Sequence, residues 1–97
     1  MLLVGGTFEV DPVDRDAFIA ARHDSMRASR SEPGCLEYTI APDPIDPGRI
    51  ILFERWDNQE ALDTHLAAIR QGPQPSAPAP KAASIVIYEV AGERRLV

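Results

Sequence analysis

Ser31-Glu-Pro-Gly-Cys-Leu-Glu-Tyr38 and, further along, Phe53-Glu-Arg-Trp-Asp-Asn-Gln-Glu-Ala-Leu-Asp-Thr-His65 decide the fold. In the first stretch a helix has to stop before Pro33-Gly34, because a residue preceding proline is driven out of the helical region. An alternating strand then begins at Cys35. In the second, a strand ends at Trp56 and runs directly into a helix: Asp57 reads as its N-cap, with Glu60 three residues on completing a capping box. The two stretches therefore expose one helix end, two strands and one helix start. They also bring a Tyr, a Trp and a His toward one sheet-and-helix layer.

Working outward, Leu2–Val10 is rich in apolar and β-branched residues and reads as the first strand. Gly5-Gly6 inside it suggests a bulge or a close backbone approach. Asp11-Pro12-Val13-Asp14 has the N-cap and first-turn proline of a helix start, so a helix is expected from there to about Arg30. The second strand is Cys35–Ala41, with Leu36, Tyr38 and Ile40 on one face and Cys35, Glu37 and Thr39 on the other. Pro42–Gly48 is a hairpin loop, and Arg49–Trp56 the third strand. The second helix ends near Arg70-Gln71-Gly72. Residues 72–83 are proline-rich and read as loop, since prolines remove backbone donors and break helices. Ser84–Val90 is the fourth strand, which the tail from Ala91 can extend.

The order β-α-β-β-α-β is the ferredoxin-like, split-βαβ arrangement of the α+β class: a four-stranded antiparallel sheet with two helices on one face. Helices on one face leave the other bare, yet strands three and four are apolar on both, with Ile51 and Phe53 opposite Ile50 and Leu52, and Val86 and Tyr88 opposite Ile85 and Ile87. An antiparallel sheet with a solvated face should alternate apolar and polar residues. A second copy packed sheet to sheet would cover the surplus, so a homodimer through the sheet face is expected.

Ninety-seven residues make a single domain, 1–97. A chain this size buries roughly 60–70% of its unfolded surface, enough for one modest core. The formal charge of −5 argues against nucleic acid or an anionic membrane as partner, since both demand a basic patch. No apolar run approaches the length of a membrane span. One cysteine cannot form an internal disulfide. A cytoplasmic protein is the expectation.

His65 is the sharpest chemical candidate. At helical spacing it falls between Ala61, Leu62 and Ile69, within the apolar stripe, so it faces the sheet. It could hold a substrate hydroxyl or take its proton, or be a core imidazole bonded to a backbone carbonyl. Trp56 should share a face with Ile50, Leu52 and Glu54, as a pocket wall or a core anchor. Glu54 pointing inward needs a partner, and an arginine is expected. On the first helix, a stripe of Phe18, Ile19 and Met26 competes with one of Ala17, Ala21 and Ala28. If the Phe18 stripe faces the sheet, Arg22 reaches the pocket and can pair with Glu54. His23 lies off both stripes, at the surface. No Cys/His cluster has metal-ligand spacing and no glycine-rich loop follows a strand, so neither metal nor nucleotide cofactor is indicated. Cys35 reads as a small buried hydrophobe rather than a nucleophile.

Glu32-Pro-Gly-Cys-Leu-Glu-Tyr38, Leu52-Phe-Glu-Arg-Trp56 and Glu60-Ala-Leu-Asp-Thr-His65 together resemble the antibiotic biosynthesis monooxygenase domain family. The resemblance covers most of the chain and implies a dimeric α+β barrel. It implies a cofactor-independent monooxygenase that oxidises a small quinol or polycyclic phenolic substrate with molecular oxygen. His65 would then contact the substrate oxygen and Trp56 shape the pocket, with Tyr38, Glu54, Arg22 and Phe18 as further pocket residues. The family also contains haem-degrading members and members of no known activity. The alternatives it implies are a non-catalytic barrel that binds a small apolar ligand or serves in stress response, and a haem-handling protein. Many relatives roof the pocket with a further helical segment, where this chain has Gly72-Pro-Gln-Pro-Ser-Ala-Pro-Ala-Pro80.

Overall fold

The computed structural model describes residues 1–97. Strands β1 (Leu2–Glu9), β2 (Cys35–Pro42), β3 (Arg49–Trp56) and β4 (Ala82–Glu89) form one sheet in the order β2-β3-β1-β4. Every neighbouring pair is antiparallel. Helices α1 (Arg15–Ala20), α2 (His23–Arg30) and α3 (Gln59–Gln71) follow the expected chain order. A short 3-10 turn at Pro12–Asp14 precedes α1, capped as expected by the Asp11 carboxylate, which accepts from the Val13 N–H. The α+β, ferredoxin-like class is thus the observed one.

Period-two counting places Leu2 and Val4, Tyr38 and Ile40, and Ile50, Leu52, Glu54 and Trp56 on the helix-bearing face, and all of them are buried. Phe18 and Met26 are also buried, whereas Ala17, Ala21 and Ala28 are exposed, so the Phe18 stripe faces the sheet. His23 is at the surface. The outer face carries partly exposed Ile51, Val86 and Tyr88 beside an Arg55–Glu37 ion pair of 2.9 Å. All eight residues of β4 are exposed, including Ile85 and Ile87 on the inner face, because no helix reaches that edge of the sheet.

Four sequence expectations need correcting. The first helix is not continuous to Arg30: it breaks at Ala21-Arg22. Arg22 N–H bonds the Ile19 carbonyl in a tightened turn, and the Arg22 guanidinium takes the Phe18 carbonyl at 2.9 Å, so a side chain replaces the helical donor there. The cap of α3 is Asn58, not Asp57; its side-chain oxygen accepts from Ala61 N–H at 2.9 Å. Both residue types cap well, and the geometry of the turn selects the later one. In β2, a register shift between Cys35 and Glu37 puts Cys35 opposite Trp56. Leu36 is the extra residue, half-exposed, and Cys35 shares the face of Tyr38 instead of the opposite one. Finally, β4 opens at Ala82, inside the span read as proline-rich loop, and stops at Glu89 without recruiting the tail.

The β2–β3 connection is built on Asp43. Its Oδ1 accepts from the Ile45 and Asp46 N–H groups at 2.8 and 3.1 Å, and its Oδ2 from Arg49 Nε at 2.9 Å. Those two backbone donors, then Arg49, hold its carboxyl down at about 2. A depressed folded-state value adds stability above the ordinary carboxylate range, and that stability disappears as pH falls toward the folded value. Denaturant midpoints should therefore drop between about pH 4 and about pH 2, and Asp43→Asn should flatten that part of the curve. An unchanged slope in the variant would show that Asp43 is not the group responsible.

Candidate active site

α3 starts directly after β3, so its first turn is fixed against the end of the sheet. Gly34 makes this possible: its φ is +83°, a region open to glycine, and a Cβ there would lie 2.5 Å from the Ala61 Cβ. Its carbonyl accepts from Asp57 N–H at 2.8 Å. This tight junction presses the Glu32–Gly34 turn onto α3. From there 3.6-residue periodicity carries Leu62 and His65 inward, and both are buried.

The His65 imidazole lies against the Trp56 indole with ring centroids 4.5 Å apart, and meets Tyr38 edge-on at 5.3 Å. Its Nδ1 faces both carboxylate oxygens of Glu32, at 3.2 and 3.3 Å. A neutral ring in that setting keeps its proton on Nδ1, donated to Glu32, which leaves Nε2 as the acceptor. Nε2 is 3.8 Å from Glu54 Oε1, too far for a hydrogen bond and near enough for charge to be felt. Glu54 Oε1 accepts from Trp56 Nε1 at 2.8 Å.

Burial pushes the Glu54 carboxyl above its ordinary value; the Trp56 hydrogen bond and His65 pull it back, and the Glu32 charge adds to the rise. Burial, then the Glu54 charge, push the Tyr38 phenol up to about 12, so it stays a hydrogen-bond donor. A hydrogen bond with buried Ser29 acts in the opposite direction. The Cys35 thiol is likewise pushed up, first by burial and then by Glu32 and Glu54, which disfavours a thiolate.

Glu32, Tyr38, Glu54 and His65 stand at the wall of a largely apolar cavity of about 690 Å³, a size within the roughly 300–1,000 Å³ typical of small-molecule sites. Leu52, Ile40 and Leu62 form its floor side, and Ile85 and Ile87 of β4 its open flank. Gly72 to Pro75, at the start of the proline-rich segment, border it where α3 ends. That segment has no helix, as its composition requires.

The structure brings His65, Tyr38, Glu54 and Arg22 to this one cavity. Phe18 and Trp56 are fully buried and sit behind the wall instead: Phe18 under the Arg22 guanidinium, Trp56 behind His65. The expected Arg22–Glu54 pair does not form. The inward carboxylate is satisfied by the Trp56 indole, and Arg22 bonds the Phe18 carbonyl. Glu32, which sequence periodicity does not single out, is the group that orients His65. No cluster of three or more His, Cys, Asp or Glu could hold a metal ion, and no helix is long and apolar enough to cross a membrane.

Residues 1–70 match the family model described as antibiotic biosynthesis monooxygenase. The match ends before the proline-rich segment and β4. An uncharacterised protein of Synechocystis sp., sll1783, is 33% identical over 101 residues, spanning 98% of this chain and 67% of that protein. A Deinococcus radiodurans crystal structure, provisionally named an antibiotic biosynthesis monooxygenase, superposes with a TM-score of 0.79 at 23% identity, covering 100% of this chain and 99% of that one. The heme-degrader MhuD of Mycobacterium tuberculosis, solved with two hemes bound in its active site, superposes with a TM-score of 0.71 at 17% identity, covering 98% of this chain and 100% of that one. The two structural likenesses speak for the fold. With the family model matching residues 1–70, well over half of the sequence, the chain belongs to the antibiotic biosynthesis monooxygenase family.

Proposed function

We propose that this protein is a cofactor-independent monooxygenase that oxidises a small quinol or polycyclic phenol with molecular oxygen. The observation that carries the reading is the oriented Glu32–His65 pair at the wall of the largely apolar cavity, with Glu54 and Tyr38 beside it. A substrate hydroxyl placed beside His65 Nε2 would donate its hydrogen bond to that nitrogen, with Glu54 close by. Nε2 takes the hydroxyl proton, and Glu32 steadies the imidazolium that results. The aryloxide is electron-rich enough to reduce oxygen directly. One oxygen atom forms a bond to a ring carbon and the other leaves as water, formed with the hydroxyl proton returned by His65 and the proton lost from that ring carbon. The substrate itself is the reductant, losing two hydrogens as it becomes a quinone.

The exposed apolar residues of the outer sheet face and of β4 support a working homodimer, closed sheet to sheet. In it the partner would cover Val86 and Tyr88. Light scattering at micromolar concentration should give twice the 10.6 kDa of one chain; a monomeric mass would remove the dimer from the proposal.

The activity is tested by oxygen uptake with chelator-treated protein over a panel of naphthalenediols and anthrone-type phenols, without flavin or nicotinamide. Uptake above each compound's spontaneous oxidation is the expected result. Ligands that raise the melting temperature but are never consumed would favour a binding barrel instead.

A further inference from the structure

Arg22 is the only Arg or Lys on the cavity wall, and none of the chain's ion pairs includes it. It is nevertheless held firmly. One N–H of Nη1 donates to the Phe18 carbonyl at 2.9 Å, and the guanidinium lies 3.5 Å over the Phe18 ring. A guanidinium has five N–H donors; one of them is used in that bond, the others have no partner in the chain, and the residue lines the cavity. Partial burial lowers its pKa from the ordinary arginine value, and no carboxylate pairs with it to offset that.

The surroundings favour an anion at this spot. Arg22 is the N-cap of α2 and makes no side-chain cap bond, so the first N–H groups of α2 open beside it. The Tyr38 phenol is close enough for the Arg22 charge to act on it, and it remains protonated. Asp24 lies at the cavity rim, where its 98% exposed side chain is solvated and pairs with Arg27 at 3.4 Å. The His65 part of the wall is the reverse, with Glu32 and Glu54 on either side of the imidazole. A carboxylate placed there is repelled, whereas a neutral hydroxyl is welcome and, once its proton passes to His65, its oxygen faces the imidazolium so formed.

We propose that Arg22 anchors a carboxylate of the substrate, so that the cavity takes a hydroxylated aromatic acid in preference to a neutral quinol. The inference rests on the reading of this cavity as the substrate site and narrows its substrate class. A planar carboxylate matches the two parallel N–H groups of a guanidinium. A monoanion balances the single cation, whereas a dianion adds charge to a wall that already holds Glu32 and Glu54.

Calorimetric titration of the intact protein under anaerobic conditions, with a hydroxynaphthoate and the corresponding naphthol, separates the contributions. The wild type should bind the acid about 10–100-fold more tightly, the gain expected of charge-assisted hydrogen bonds. Arg22→Gln should remove that preference while keeping the naphthol affinity, and Arg22→Lys should retain part of it, with helix content checked by circular dichroism. Equal or weaker binding of the acid by the wild type overturns the proposal, as does failure of both ligands to bind. A loss of both affinities alike in Arg22→Gln also overturns it, leaving Arg22 as a brace for the α1–α2 junction. No oxygen chemistry is involved, so a negative oxygen-uptake result leaves these affinities standing. A missing preference, in turn, leaves the oxygen chemistry standing.

Discussion

Replacing His65 by alanine is expected to lower oxygen-dependent turnover by about 10²–10⁴-fold, the usual contribution of a positioned general base. The expectation follows from how the ring is held. Trp56 and Tyr38 fix its plane, Glu32 fixes the proton on Nδ1, and Nε2 is left as the acceptor at the cavity wall. Glu32→Gln should cost less, because an amide still accepts from Nδ1 but no longer stabilises an imidazolium. Both effects should fall on kcat more than on KM, since the interaction strengthens only as the proton moves. Loss of the imidazole also leaves a void beside Trp56, so each variant needs a thermal melt and a circular dichroism spectrum as controls. His65→Gln fills most of that space without a comparable base. A folded His65→Ala protein that turns over a proven substrate at the wild-type rate would strip His65 of its role.

The second large effect is on stability. Gly6→Ala is expected to cost about 3 kcal/mol or more, at or beyond the upper end of overpacking penalties. A Cβ on Gly6 would overlap the Ser84 carbonyl oxygen and stand 2.8 Å from the Ile85 Cα. Both are backbone atoms of β4 and cannot swing aside. The register of β1 with β3 and with β4 is unbroken through Gly6, so the glycine serves a close approach and not a bulge. β4 is an edge strand paired only with β1. Pushing it away would open the Ile85–Ile87 flank of the cavity and disturb the face proposed to dimerise. In a domain of this size the melting temperature should fall by roughly 12 °C or more. Gly5→Ala is the matched control, because its Cβ would meet only side-chain atoms at 3.5 and 3.9 Å. Equal melting temperatures for Gly6→Ala and wild type would show that β4 is not seated as described.

Both expectations rest on features the sequence already carried. Alternation in Arg49–Trp56 placed Ile50, Leu52, Glu54 and Trp56 on the inner face, and helical spacing turned His65 toward them. The apolar run of β4 pointed to a strand wanting cover on both faces. What could not be read came from contacts with no local period. Glu32 meets His65 across thirty-three positions of sequence, through a turn whose closeness to α3 depends on Gly34. Strict two-residue counting failed at Leu36, where the bulge moves Cys35 to the other face. The break in the first helix arises from competition for one carbonyl, which the Arg22 side chain wins. The same bond removes Arg22 from Glu54, whose needs the Trp56 indole meets. Charge complementarity alone suggested the wrong pair, because the sequence does not reveal which neutral donor stands closer.

The central claim, that the cavity inserts one atom of molecular oxygen into an aromatic substrate without a cofactor, is tested most directly by isotope. The chelator-treated protein would be given a substrate from the oxygen-uptake panel under oxygen gas enriched in the heavy isotope, and the product analysed by mass spectrometry. One heavy oxygen atom per product molecule, formed at the enzyme-dependent rate and lost with His65→Ala, is the expected result. Hydrogen peroxide accumulating in step with an unlabelled quinone would contradict it, since the protein would then only be hastening simple oxidation.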